Sequence, residues 1–286
     1  GDEDLFKENF TTILQQNGLF LEIKVDKLLF TGFTFCEDAE MTQICSTLKD
    51  NRYIKKLDNG SFEFSFVKYR TSANNTLTVN RGIRNESELG EISRWNNHSY
   101  SIYWNNQTSC SRIRGTDSTL FPPDIDTDSV LRIFSADAGT VYNLTYGNDI
   151  EYKSMKGEMF QVNSSNLWPH CGDLQTDCYC TKLTMDENNK EQCYLDGVLD
   201  FQSRTGAPVL LSLPHFLWAD AKYRSAIDGV FPQEDLHRTY FIIEPNTGIT
   251  LEGAHRSQLN TVLRPINVQN YTNISRAVLP LFWVEE

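Results

Sequence analysis

Three kinds of residue in this 286-residue chain have chemistry to offer: five histidines, seven cysteines and ten asparagines in Asn-x-Ser/Thr triplets. His98, His170, His215, His237 and His255 sit in separate segments at irregular spacing. They are joined by no G-x-S-x-G elbow, H-E-x-x-H pair, glycine-rich phosphate loop or second C-x-x-C unit, so the chain reads as a non-enzyme. His215 follows Pro214 at the end of an apolar run, a setting that predicts a histidine satisfied by backbone groups instead of a catalytic base. His237 and Arg238 beside Glu234 and Asp235 predict a solvated or ion-paired turn ahead of a strand, and Arg256 is expected to pair with Glu244 on a neighbouring strand. Cys178 and Cys180 form a C-x-C with no second cluster, which lacks the spacing of a zinc site. Neither a metal nor a cofactor is expected.

The triplets begin at Asn9, Asn59, Asn74, Asn85, Asn97, Asn106, Asn143, Asn163, Asn270 and Asn273. A glycan needs an exposed site in a secretory compartment, so this many acceptors point outside the cell. Seven cysteines suit an oxidising compartment, although an odd number leaves at least one thiol unpaired within the chain. The formal charge of −12 argues against nucleic acid and anionic lipid as partners, leaving a neutral, apolar or cationic ligand. No run approaches the roughly 18 apolar residues of a membrane span, and the opening GDEDLFKE has no signal-peptide pattern.

The elements that must carry these residues are mostly strands. Leu5, Phe6, Phe10, Ile13 and Leu14 fall at helical spacing over Asp4 to Gln15, and the helix is expected to end near Gly18. Leu21, Ile23 and Val25 alternate with charged residues and predict a half-buried strand. The Asn59-Gly60 turn, followed by Phe62, Phe64 and Phe66 alternating with polar residues, predicts an antiparallel hairpin. Further strands are expected at Thr76 to Val79, Tyr100 to Trp104, Val209 to Leu213, Tyr240 to Glu244 and Leu259 to Arg264. With no linker and no internal repeat, one large, mainly β domain with helical insertions is the economical reading.

The most specific feature is an ordered series between Gly206 and Arg256: GAPVLLSLPHFLWAD, then IDGVFPQEDLHRTYFIIEPNTGITLEGAHR. GTD at Gly115 to Asp117 running into FPP at Phe121 to Pro123, FSAD at Phe134 to Asp137, CYC at Cys178 to Cys180, GVLD at Gly197 to Asp200, and PLFWVEE from Pro280 accompany it. In these residues the sequence resembles the class B scavenger receptor family. The closing string, with Cys36 and Cys45 after LLFTG, is most similar to the insect sensory neuron membrane protein branch.

The resemblance implies a distorted antiparallel β-barrel with a helical cap. Residues 1–286 would be part of a single extracellular domain, about the last two-thirds of the family ectodomain, with the membrane spans and opening segment missing. By the same resemblance Cys110 bridges to Cys178, and Cys180 to Cys193, while Cys36 and Cys45 form a bridge of their own. A third family bridge has lost both halves together, with Ala138, Gly139 and Thr140 at one end and Gln202, Ser203 and Arg204 at the other. Cys171 is left without a partner.

The implied function is that of a cell-membrane receptor which carries long-chain hydrophobic ligands, fatty-acid-derived lipids or pheromones, through an internal tunnel toward the membrane or an odorant receptor complex. Leu211 and Leu259 are candidate tunnel-lining positions. The alternative is a docking or endocytic receptor, including one on the lumenal side of the lysosomal membrane, that binds a protein or lipoprotein through its cap, where Phe6 and Phe10 are the candidates.

Overall fold

The computed structural model describes residues 22–37, 45, 53–68, 76–104, 108–162, 164, 177–180, 184–185, 191–201, 209–265 and 272–286. Contacts divide the chain into two compact units, Gly1–Ala73 with Arg264–Arg276, and Asn74–Leu263 with Ala277–Glu286. The helix expected over Asp4 to Gln15, with Phe6 and Phe10, lies outside the described residues.

In the first unit, strands β1 (Phe33–Phe35), β2 (Ile54–Lys56) and β3 (Phe62–Phe64) form an antiparallel sheet in the order β1-β3-β2. The predicted hairpin is present. Gly60 takes a φ of 88° in its loop, and Asn59 Oδ1 accepts from the Ser61 amide at 3.1 Å and hydroxyl at 2.7 Å, the Asx geometry that favours a turn. Cross-strand aromatic pairs, Phe33 with Phe64 and Phe35 with Phe62, hold β1 to β3.

The strand expected around Ile23 and Val25 is not formed. Val25 is exposed, and the chain enters a helical turn in which Leu28 N donates to Lys24 O and Thr31 Oγ1 to Asp26 Oδ2. The carbonyls of Leu28 and Leu29, at the end of that turn, are the ones that receive Phe66 N and Val67 N. A three-residue alternation that pairs with no strand among the described residues loses to hydrogen bonds that the backbone can satisfy locally.

The second unit contains β4 (Leu77–Val79), β5 (Ile92–Trp95), β6 (Leu131–Ser135), β7 (Thr140–Tyr152), β8 (Met155–Gln161), β9 (Thr184–Met185), β10 (Glu191–Gln192), β11 (Val198–Asp200), β12 (Val209–Ser212), α1 (Ala221–Ser225), α2 (Glu234–His237), β13 (Tyr240–Ile243), β14 (Thr250–Ala254), β15 (Arg256–Leu263) and β16 (Ala277–Glu285). Two larger antiparallel sheets dominate, β14-β13-β8-β7-β6 and β11-β12-β15-β16. Lys153 and Ser154, both at positive φ, make the two-residue turn between β7 and β8, the conformation that matches strand twist in a tight hairpin.

The main core joins both sheets: Tyr142, Leu144, Phe160, Phe241 and Ile243 from one meet Leu199 and Leu211 from the other. All four residues of β12 are buried, because Leu211 faces this core while Leu210 faces a second cluster with Val198, Phe216 and Tyr223. A strand covered on both faces reads as a continuous apolar run, as VLLSL does.

Tyr100 to Trp104 is a turn and not the expected strand. Tyr100 makes a single bridge to Arg112, Ile102 is exposed, and Trp104 folds inward to donate from Nε1 to Gly139 O at 2.7 Å. A buried indole needs an acceptor, and reaching this one takes the chain out of extended pairing. Among the described residues the strands make five separate sheets, none of which closes on itself into a barrel.

The two motif strings GTD-FPP and EPNTG are fastened to each other. Phe121 N donates to Gly248 O, Ile125 N to Pro245 O, Thr250 N to Thr119 O, and Thr250 Oγ1 to Ser118 O. Glu244 holds the other side of the clamp. Its carboxylate receives the Asn246 and Thr247 amides and both of their side chains, and the hydrogen bond from Thr247 leads in pulling its pKa down to about 2. Glu244 is therefore committed to its own turn, and the expected pairing with Arg256 is corrected. Arg256 Nε donates to Glu285 Oε2 at 2.6 Å and its Nη1 to Arg238 O, because β16 lies beside β15 in register.

A Cβ on Gly248, whose φ is 73°, would lie 2.1 Å from Phe121 O. Gly248→Ala should therefore lower stability by about 1–3 kcal/mol or more through strain and collision together. Gly229, at a φ of 86° with nothing within 4 Å, isolates the conformational part. Equal losses of thermal midpoint in Gly248→Ala and Gly229→Ala would show that the contact with Phe121 is irrelevant.

Glu158 on β8 is 7% exposed, stands directly opposite Asp149, and its Oε2 has no hydrogen-bond partner. Burial raises its pKa, and repulsion from Asp149, Asp126 and Glu244 adds to this against Lys156. The folded state thus holds this proton to higher pH than the unfolded chain does, so its contribution to stability falls as pH rises through the carboxylate range. Glu158→Gln should raise the melting midpoint at about pH 7.5 and lose that advantage below about pH 4.5, as read by calorimetry at both values.

Candidate functional site

The string PHFLWAD runs directly out of β12 and is held in an unusual backbone conformation. His215, Phe216 and Trp218 have φ values of 53°, 53° and 58°, in the left-handed region that costs an L residue about 1–2 kcal/mol each. Several contacts offset this. Phe216 is fully buried against Tyr223, Arg224 Nη1 donates to Phe216 O and Ala219 O, and the His215 amide donates to Gln258 Oε1 at 2.9 Å. Gly197, from the GVLD string, allows the close approach, since a Cβ there would lie 2.4 Å from Ala219 Cα.

Gln258 is 2% exposed and belongs to a buried polar set between β12 and β15. Its Nε2 donates to Asn260 Oδ1 at 2.8 Å, and Asn260 Nδ2 donates to Ser212 Oγ at 3.0 Å and Leu210 O at 3.2 Å. Burying these amides is tolerable because each finds partners. On the same side of the segment, the His215 ring stacks on His237 with centroids 4.4 Å apart, and His237 meets Trp283 of β16 edge-on at 6.0 Å.

The ring nitrogens are used structurally. Phe231 N donates to His215 Nδ1 at 3.2 Å and Gln233 N to His237 Nδ1 at 3.0 Å. The Nδ1 of each imidazole thus accepts from backbone, the kind of partner expected for His215. His237 is buried, not solvated, and Arg238 makes the expected ion pair with Asp235 at 3.2 Å. Burial, followed by the neighbouring His215 and Arg256, lowers the pKa of His237.

Leu211 and Leu259 are brought together. They are direct partners in the β12–β15 ladder; Leu211 belongs to the main core and Leu259 packs against it, so the pair forms part of one apolar wall. Disulfides join Cys36 to Cys45, Cys110 to Cys178 and Cys180 to Cys193. Cys171 lies outside the described residues.

Of the glycan acceptors, Asn59, Asn85, Asn97 and Asn273 are exposed, and Asn9, Asn74, Asn106, Asn163 and Asn270 fall outside the description. Asn85 repeats the Asn59 geometry, accepting from the Ser87 amide and hydroxyl. Asn143 differs: it sits in β7 opposite Arg132, half-buried, with its Oδ1 enclosed and unpartnered.

Sequence reasoning missed the histidine stack and the Ser212–Gln258–Asn260 set. The second had a signal: Gln258 and Asn260 flank Leu259 at the alternate positions that a strand places on one face.

Comparison with known protein families matches residues 2–286 to the CD36 family. Over 281 residues the chain is 30% identical to sensory neuron membrane protein 2 of Drosophila melanogaster, which covers 94% of this chain and 50% of that protein. It is 30% identical over 284 residues to sensory neuron membrane protein 2 of Aedes aegypti, covering 94% and 52%, and 28% identical over 281 residues to sensory neuron membrane protein 1 of Pediculus humanus subsp. corporis, covering 94% and 51%. The chain spans about half the length of the curated relatives it matches. Since the family match runs over residues 2–286 and takes in the PHF segment, the GTD–EPNTG clamp and the apolar wall alike, the chain belongs to the CD36 family.

Proposed function

We propose that this chain is part of the extracellular domain of a membrane receptor that carries long-chain, fatty-acid-derived lipids or pheromones through an apolar interior toward the membrane or an odorant receptor complex. The observation that carries this reading is the Leu211–Leu259 pair, two facing apolar side chains on adjacent strands, set in a core shared by both large sheets. Membership of the CD36 family and the sensory neuron membrane proteins among the relatives support the same reading.

The energetics suit release as well as capture. About ten buried methylenes contribute on the order of 8 kcal/mol gross, from which association costs are subtracted. Cargo bound this way passes on instead of staying. Four exposed acceptor asparagines and three disulfides fit an ectodomain in an oxidising compartment.

Leu211→Trp and Leu259→Trp in the full-length receptor should slow delivery of a long-chain ligand, more so for longer chains, while surface expression stays normal. Ligand-evoked responses in expressing cells measure this. Unchanged delivery in both, together with loss of partner capture in Phe6→Ala or Phe10→Ala, would replace transport with docking through the cap.

Glycan placement gives a separate check. Glycopeptide mapping of the secreted ectodomain should find Asn59, Asn85, Asn97 and Asn273 occupied and Asn143 bare, because a sugar on a half-buried mid-strand amide would have to displace the β6–β7 neighbours. Full occupancy at Asn143 would mean that β7 does not pair with β6 as described.

A further inference from the structure

We propose that His215 and His237 form a latch for the loop Ala226–Gln233 that opens on acidification. The loop is fastened at Phe231 N to His215 Nδ1 and at Gln233 N to His237 Nδ1, on either side of Pro232, which has no amide hydrogen to offer. A backbone amide can only donate. Both Nδ1 atoms must therefore be bare acceptors, and each neutral ring carries its proton on Nε2.

Protonation of either ring turns an accepting nitrogen into a donor facing another donor, so one fastening is lost outright. It also places a positive charge against a ring whose centroid is 4.4 Å away and nearly parallel, at an angle of 13°. Protonation of both would set two charges face to face. His237 is 5% exposed, so little water is available to screen them.

The surrounding charges do not rescue the protonated pair. Arg256 of β15 approaches from one side, with its guanidinium on Glu285 and Arg238 O. Arg238 is engaged by Asp235, and Glu234 accepts from Trp218 Nε1 at 3.2 Å. From β16 the neighbour is the Trp283 ring, and from β15 Gln258 takes the His215 amide. Among the described residues, no carboxylate is hydrogen-bonded to either imidazole.

The open loop binds a proton on the His237 ring more readily than the latched one, since burial, followed by the neighbouring His215 and Arg256, lowers the pKa of His237. The stability that the His237 fastening contributes is therefore fully present above about pH 6.5 and is lost as pH falls below it. Opening frees a segment that already carries Phe231 at 69% exposure and leads into Leu236 at 55%. It does not depend on any cargo in the apolar interior.

Hydrogen exchange of the purified glycosylated chain, corrected for intrinsic rates, tests the latch. Protection at Phe231 N and Gln233 N should fall by about tenfold per pH unit between about pH 6 and about pH 4.5, while the β13 amides hold. The double variant His215→Asn, His237→Asn places an unprotonatable amide oxygen near each Nδ1 and should keep the loop protected throughout. Flat protection in the wild-type chain, or an equal loss in the double variant, overturns the proposal. If the variant does not fold, the ring nitrogen resonances of the wild type decide: Nε2–H tautomers at neutral pH that disappear with loop protection support the latch, and Nδ1–H tautomers overturn it.

Discussion

The carboxamide of Gln258 is the point on which the geometry of the PHF region rests. Its oxygen receives the His215 amide and its nitrogen is committed to Asn260, which in turn is tied to Ser212 and the Leu210 carbonyl. A buried amide left unpaired costs about 1–3 kcal/mol, so the set is stable only as a complete circuit. That circuit fixes where the chain leaves β12. From there follow the left-handed run through Trp218, the packing of Phe216 in its cluster and the position at which the two imidazoles meet.

The fold uses two joints built on the same physics. In one, Gly197 lets the GVLD backbone touch Ala219; in the other, Gly248 lets the EPNTG turn touch Phe121. Each joint pairs a glycine without room for a side chain with polar groups that hold the facing backbone: Arg224 in the first, Glu244 and Thr250 in the second. The first joint borders the cluster of Val198, Phe216 and Ala219, and the second borders the main core through Phe121, the core that also holds Leu211.

Local signals in the sequence were enough for some elements. The Asn59-Gly60 turn with alternating phenylalanines identifies the β2–β3 hairpin, and the apolar run before Pro214 identifies β12. They were insufficient wherever a distant partner decides. Ile23 and Val25 alternate correctly yet pair with no strand among the described residues, and Trp104 leaves extended structure to reach Gly139. Arg256 was paired with the wrong glutamate because register between β15 and β16 is a property of two segments together, bulge included. The strand predicted from Leu259 onward in fact begins at Arg256, its polar opening residues being the ones buried in hydrogen bonds. The burial of Leu211 was legible because a short, continuous apolar run reads as a strand covered on both faces, whereas the histidine stack was not, since nothing in either local string announces the other.

The clamp between Ser118 and Thr250 joins positions 132 residues apart in sequence. Contacts so distant form late, since the chain must give up the entropy of a long loop before any of their energy is returned. The Cys110–Cys178 bridge, which spans 68 residues, shortens that search: once it closes, the path from Ser118 to Thr250 runs back through Cys110 and across the sulfurs, bypassing β6 to β8. Oxidation early in folding therefore speeds assembly of a joint that contains no sulfur, and a chain folding under reducing conditions meets its delay at the EPNTG turn, far along the sequence from either cysteine.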